Sequence, residues 1–75
     1  MEIQIENILV FATNIKTEKD KQKISNELDK NSEIQQWNID QEDIDCVLRI
    51  VSETLSEKQI INLLENQNFE CTPLE

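Results

Sequence analysis

Thr17 and Asp20 are a pair of side chains whose types and spacing could form a site. They stand three residues apart at the start of a predicted helix, where a hydroxyl and a carboxylate could hold a hard cation, or the helix end an anion. The same pair is typical of a capping box, in which Thr17 accepts a hydrogen bond from the backbone N–H of Asp20. Because such caps are common, an ordinary helix N-terminus is the plainer interpretation.

The acidic segment 40–45 is a second candidate, with the sequence Asp-Gln-Glu-Asp-Ile-Asp. Its carboxylates suggest a Ca²⁺ loop. It lacks both the glycine and the distant bidentate glutamate of an EF-hand loop. A solvated acidic turn between two strands is therefore the better interpretation.

The two cysteines, Cys46 and Cys71, fall in different predicted strands that should flank the first strand on either side. Two strand spacings separate them by about 9–10 Å. That distance is too long for a disulfide or a shared metal ion without rearrangement. We expect both to be buried free thiols in a reducing compartment.

Two residue types are missing altogether, since the chain has no histidine and no glycine. Without histidine there is no Ser–His or Cys–His catalytic pair, and without glycine there is no Gly-rich phosphate loop. We therefore expect no catalytic residues, no cofactor and no enzymatic activity.

The charge of the chain also restricts its partners. Sixteen acidic and seven basic residues give a net charge of −9, which repels nucleic-acid phosphates and anionic membranes. We expect neither nucleic acid nor membrane as a partner. With 75 residues, one domain spanning 1–75, and neither a signal pattern nor a membrane-spanning segment, a cytoplasmic protein is expected.

The basic residues are concentrated around the predicted first helix, which holds five of the seven. Lys16, Lys19 and Lys23 recur at i, i+3 and i+7 and should form one basic strip, the name used below for these three residues. Such a strip on an acidic molecule is a candidate contact surface for an acidic protein partner or a second copy of the chain. A solubilising helix face is the plainer interpretation, because runs of charge usually serve that role.

The helices and strands that position these residues are predicted from hydrophobic periodicity and from the residues that begin and end each element. A cap at Ser56 with Gln59 starts the second helix, and Asn68 should end it in the left-handed conformation that glycine usually provides. Pro73 closes the last strand, which suits a sheet edge. The predicted elements are strands over 8–14, 34–40, 45–52 and 69–72, with helices over 16–30 and from 57 to about 66.

This β-α-β-β-α-β order predicts an α+β fold of the ferredoxin-like type. Two amphipathic helices must bury their apolar stripes on one face of a four-stranded antiparallel sheet, and right-handed crossovers favour the strand order 4-1-3-2. The expected core residues share apolar character and inward periodicity: Leu28, Trp37, Leu48, Ile50, Ile60, Leu64 and Phe69.

With these elements assigned, the sequence resembles the heavy-metal-associated domains of copper chaperones and metal ATPases. Ile24 and Leu28 match the apolar positions after that family's second cysteine. The segment 34–40 is similar to its Val-x-x-Val-x-Val-Asp/Asn strand, and 56–70 to its Ser-x-x-x-Leu-Ile-x-x-Leu-x-x-x-Gly-Tyr-Glu ending. The resemblance covers about residues 8–71 and concerns mainly core positions, so it implies an architecture more than an activity.

The departures from that family are concentrated in its metal loop. Thr17 and Asp20 stand at the two cysteine positions, and Ile15 stands at the buried methionine. Because soft Cu(I) requires thiolates, the resemblance implies that the family's copper site is absent. Phe69 matches the aromatic residue that packs near the loop, which implies that the framework of the loop is kept without its ligands.

Two functions follow as expectations. The first is a non-catalytic binding module, related to heavy-metal-associated domains but without their metal site, that contacts a protein partner or its own copies through the basic strip or the sheet face. The resemblance supports the basic strip as the contact surface, since charged residues around the loop guide docking in that family. The alternative is an atypical carrier of a metal ion or small ligand, related to heavy-metal transport and detoxification proteins and using carboxylates.

Overall fold

The computed structural model describes residues 8–74, so that the first seven residues and Glu75 lie outside the described part of the predicted single domain. Four strands and two helices follow one another in the predicted order. They are β1 (Ile8–Thr13), α1 (Glu18–Asp29), β2 (Gln36–Asp40), β3 (Val47–Val51), α2 (Glu57–Asn66) and β4 (Cys71–Pro73).

The four strands form one antiparallel sheet in the order β2-β3-β1-β4. This is the predicted order 4-1-3-2 counted from the other edge, so the ferredoxin-like α+β fold is confirmed. β1 and β3 are the central strands, and β2 and β4 are the edges. The β1–α1–β2 and β3–α2–β4 connections each run through a helix that packs on the sheet.

The register divides the sheet into an inner face under the helices and an outer face without them. On the inner face, Phe11 of β1 lies opposite Leu48 of β3, and both side chains are fully buried. Ile24 and Leu28 of α1 and Ile60 and Leu64 of α2 pack into the same cluster. Arg49 alternates to the outer face and is exposed, in keeping with its charge.

The predicted core is confirmed except at Trp37, which is only half-buried because β2 is an edge strand. Its indole Nε1–H donates a 2.8 Å hydrogen bond to Asp29 Oδ1 at the end of α1. The polar end of the ring is thus satisfied at the rim of the core, which is typical of tryptophan.

Both helices begin at the caps that the sequence predicts. Ser56 and Gln59 form a complete capping box, since each side chain accepts from the other residue's backbone N–H. Thr17 is the N-cap of α1, which starts at Glu18 rather than near Lys16. Lys16 therefore precedes the helix, and the helical spacing that grouped it with Lys19 and Lys23 is wrong for this residue.

The last strand starts later than predicted. Phe69 was expected as its first residue, but its backbone N–H donates to the carbonyl of Leu64 and belongs to the C-terminal end of α2. β4 therefore begins at Cys71. Pro73 lies within this edge strand, where a missing N–H is tolerated.

Two residues have the positive φ values that glycine would otherwise provide. Asn68 has φ 69°, as predicted for the residue that ends the α2 region. Cys46 has φ 46° and lies just before β3, whereas the sequence predicted it inside that strand. Within residues 8–74, neither helix combines the length and apolar character needed to cross a membrane.

Candidate functional site

The segment from Asn14 to Thr17, called the β1–α1 loop below, leads from the central strand into the first helix. Ile15 is fully buried in this loop and belongs to the hydrophobic core. Lys16 and Thr17 on its C-terminal side are exposed. The loop is thus anchored by one apolar side chain and presents the next two residues to solvent.

Thr17 and Asp20 are brought together, but as parts of the helix cap. Thr17 Oγ1 accepts a 3.0 Å hydrogen bond from the backbone N–H of Asp20. The lone pairs of the hydroxyl are therefore directed partly toward the helix rather than toward a ligand. Among the described residues, no group of three or more His, Cys, Asp or Glu side chains lies close enough to hold a metal ion.

Gln41 braces the loop from the β2–β3 turn, which lies at the same end of the sheet. Its side-chain Nε2 donates to the carbonyl of Thr17 at 2.9 Å and to that of Ile15 at 3.3 Å. The Thr17 carbonyl also accepts the first helical hydrogen bond, from the N–H of Lys21. One amide from the β2–β3 turn thus fixes both the loop and the start of α1, a role that the sequence pattern did not reveal.

Two further side chains, Asn14 and Thr13, hold the N-terminal side of the loop through three hydrogen bonds. Asn14 Oδ1 accepts a 2.9 Å hydrogen bond from the backbone N–H of Glu70, just before β4. Thr13 Oγ1 donates to the carbonyl of Cys46 at 2.7 Å and accepts from the N–H of Ile15 at 3.2 Å. The loop is therefore tied to three separate parts of the chain, so its backbone is preorganised.

Phe69 lies close to Lys23 in the middle of α1. The ring is almost fully buried, and the Nζ of Lys23 lies 5.6 Å from its centroid. At this distance the ammonium group is attracted to the face of the ring. The contact restricts the side chain of Lys23 and holds its charge on this face of α1.

Lys19 and Lys23 lie one helical turn apart on the exposed side of α1. Together with Asp20, Gln22 and Asn26 they line a shallow depression. Within residues 8–74 the only salt bridge joins Lys30 and Glu27, at 3.3 Å. The charges of the basic strip are therefore not neutralised by a salt bridge to any described carboxylate.

The acidic turn between β2 and β3 uses its carboxylates to shape its own backbone. Asp40 Oδ1 accepts from the N–H of Glu42 at 3.1 Å, and Asp43 Oδ1 accepts from the N–H of Asp45 at 2.9 Å. These side-chain-to-backbone contacts are Asx turns. Ile44 at the tip is 92% exposed, a feature that the sequence did not predict from its pattern.

Both cysteines are buried free thiols, as the sequence predicted. Thr13 lies between them, pairing with Cys71 in the sheet and hydrogen-bonding to the carbonyl of Cys46. Burial, and to a lesser extent the nearby Glu65 carboxylate, raise the pKa of the Cys71 thiol to about 12. Cys71 is therefore a protonated, unreactive thiol at neutral pH.

The site that emerges is an ordered loop and helix start with exposed positive charge, flanked by an acidic turn. Its electrostatic parts were visible in the sequence, whereas its three hydrogen-bonded braces were not. In comparisons with known proteins, no protein-family model, no curated protein and no solved structure matches this chain.

Proposed function

We propose that the chain is a non-catalytic binding module, a relative of the heavy-metal-associated domains without their metal site, whose basic strip docks to an acidic protein surface. The observation that carries the proposal is the exposed, unneutralised positive charge of Lys19 and Lys23 beside a tightly braced loop on a −9 protein. Lys16 adds a third exposed positive charge from the loop itself.

The braces around the loop support this proposal. Besides its cap, the loop is held by Gln41, Asn14 and Thr13. A rigid surface loses less conformational entropy when it binds, so braces of this kind favour recognition. These hydrogen bonds would hold the backbone in the form of a metal-binding loop, although Thr17 and Asp20 occupy the ligand positions.

The chemistry of the strip supports an acidic partner. Exposed lysines are strongly hydrated point charges, and at the rim of an interface they mainly increase the rate of encounter and set its salt dependence. The contact between Lys23 and Phe69 keeps one of these charges in a defined place. The remaining surface, with its net negative charge, would repel acidic partners elsewhere and so orient the approach.

The experiment compares two triple variants with the same net charge in a pull-down from the native host. One replaces the strip, Lys16→Glu, Lys19→Glu and Lys23→Glu. The matched control changes three basic residues elsewhere, Lys30→Glu, Arg49→Glu and Lys58→Glu. We expect wild type and control to capture the same acidic partner and the strip variant to lose it, with little change in melting temperature because exposed charges contribute little stability.

Salt provides an independent measurement on the same samples. Capture by wild type should weaken as ionic strength rises from about 0.01 to about 0.15 M, where the Debye length falls from about 30 to about 8 Å. If the strip variant captures the same proteins as wild type at every salt concentration, the strip is only a solvated helix face.

A further inference from the structure

The two edges of the sheet are protected very differently. β4 is only three residues long and contains Pro73, and both features discourage pairing with another strand. β2 is five residues long and contains neither proline nor lysine. Natural sheets usually block an edge of this kind, so the open edge of β2 needs an explanation.

The hydrogen bonds of the sheet show which backbone groups face that edge. The N–H of Leu74 donates to the carbonyl of Val10, which therefore points toward β4. By alternation, the backbone N–H and C=O groups of Leu9 and Phe11 face β3. In β3, the backbone groups of Arg49 and of every second residue from it face β2. The N–H of Gln35 donating to the Val51 carbonyl agrees with this pattern.

It follows that Gln36, Asn38 and Asp40 bond to β3, while Trp37 and Ile39 direct their N–H and C=O groups to the open edge. Among the described residues, no backbone hydrogen bond outside the β2–β3 ladder involves Trp37 or Ile39. Both side chains lie on the inner face and are only half-buried. The edge thus combines unpaired backbone groups with incompletely covered apolar side chains.

We propose that β2 pairs antiparallel with β2 of a second copy, around a two-fold axis at Asn38, to form a continuous eight-stranded sheet. In this register Trp37 of each copy forms a hydrogen-bonded pair with Ile39 of the other, which gives four backbone hydrogen bonds. The two side chains also meet on the inner face, and such pairs of aromatic and β-branched residues stabilise sheets. Each copy would cover apolar surface that the other leaves exposed.

The outer face of β2 fits the same register. Asn38 would lie opposite its own copy, where two amides can hydrogen-bond to each other. Asp40 would lie opposite Gln36, a neutral donor, so that no like charges face each other directly. This self-complementarity favours a second copy over an unrelated strand. Because five residues give a small interface and both copies carry −9, the association should be weak and concentration-dependent.

The test is sedimentation over a wide range of protein concentration for wild type and two variants of equal charge. Asn38→Lys places like charges opposite each other at the centre of the interface, which is destabilising. Thr72→Lys makes the same change on the exposed face of the other edge strand, β4. We expect wild type and Thr72→Lys to self-associate, and Asn38→Lys to associate at least about tenfold more weakly.

Two local measurements report on the edge itself. Trp37 is the only tryptophan of the chain, so its fluorescence should shift to shorter wavelength as concentration rises and the ring is covered. Amide exchange should slow at Trp37 and Ile39, which face the edge, and not at Asn38, which is already bonded to β3. Melting temperatures should show that both lysine variants are folded.

Salt separates this surface from the basic strip. Pairing of two −9 molecules should strengthen as salt screens their repulsion, whereas docking through the strip should weaken. A monomer at every concentration and salt, or equal association of the Asn38→Lys and Thr72→Lys variants, would overturn the proposal. Neither result would affect the basic strip, which is tested by its own variants.

Discussion

The side-chain amide of Gln41 and the carbonyl of Thr17 are joined by a 2.9 Å hydrogen bond that connects the β2–β3 turn to the last residue of the β1–α1 loop. Gln41 is 24 residues away from Thr17 in the sequence, so the hydrogen bond joins two distant parts of the chain at the end of the sheet where the loop lies. The same amide reaches the carbonyl of Ile15. A single polar side chain therefore fixes the backbone on both sides of Lys16.

Replacing this amide should loosen the loop. We expect Gln41→Ala to lower the free energy of unfolding by about 0.5–1.5 kcal/mol, the usual net contribution of such hydrogen bonds. Amide exchange should become faster around residues 15–18. In the core strands, protection against exchange should change only as much as the free energy of global unfolding changes. Gln22→Ala, which removes an exposed glutamine from α1, is the matched control and should be nearly neutral. Equal effects of the two substitutions would show that Gln41 is not a brace.

The core of the sandwich is tested at α2. Leu64 is fully buried, so Leu64→Ala should lower the free energy of unfolding by about 2–5 kcal/mol through lost burial and a residual cavity. Leu74 near the end of β4 is 39% exposed and serves as a control, because the same truncation there removes less buried surface. Chemical denaturation of both variants measures the difference. A change within about 0.5 kcal/mol for Leu64→Ala would contradict its place in the core.

The order of strands could be predicted because it depends on local patterns that can be recognised in the sequence. Apolar periodicity, the Ser56–Gln59 box and the helix end at Asn68 each mark an element, and crossover handedness then leaves few arrangements. The boundary of β4 was missed because Phe69 has the apolar character of a strand residue. Its backbone N–H is instead used by the carbonyl of Leu64, which a pattern of side chains does not show.

The candidate site was less predictable because its contacts are made by ordinary polar residues far apart in the chain. Neither Gln41 nor Asn14 belongs to a motif, and only the folded structure brings them to the loop. Lys16 was assigned to a helical strip because its spacing from Lys19 is compatible with a helix. The cap at Thr17 starts the helix after it, so local hydrogen bonding decided where the periodicity applies.

The raised pKa of Cys71 predicts how stability changes in alkaline solution. The pKa of the folded thiol, about 12, exceeds that of an exposed thiol, so the folded protein keeps a proton that the unfolded chain loses more easily. The stability contribution is present below the unfolded pKa and is lost as pH rises toward about 12. Wild type should therefore lose stability more steeply over this range than Cys71→Ala, as denaturation at a series of pH values would show.

The same thiol provides a kinetic check at neutral pH. Cys71 should react very slowly with an alkylating reagent in the folded protein, because alkylation requires the thiolate and an accessible sulfur. Labelling of the Cys46→Ser variant, in which Cys71 is the remaining thiol, should quicken sharply in denaturant. Rapid labelling of that variant under native conditions, with an unchanged melting temperature, would contradict the burial of Cys71.

Copper binding tests the relationship of the loop to heavy-metal-associated domains. Thr17 and Asp20 provide no thiolate, and Cys71 is held protonated, so wild type should bind Cu(I) no better than two isolated thiols do. Competition with a Cu(I) chelator measures this affinity. Tight one-to-one binding that survives Cys46→Ser and Cys71→Ser would mean that the loop binds metal through other groups.

The converse experiment introduces thiols at the positions where heavy-metal-associated domains have them. Thr17 Oγ1 lies 3.0 Å from the backbone nitrogen of Asp20, so the two positions adjoin each other at the helix start. The variant Thr17→Cys/Asp20→Cys should therefore gain tight one-to-one Cu(I) binding on a loop already held by Gln41. Thr17→Ser/Asp20→Ser is the matched control, since it changes the same positions without adding soft ligands. If the double cysteine variant stays folded and binds Cu(I) no better than the serine control, the loop does not have the geometry of that family's metal site, and the proposed relationship fails.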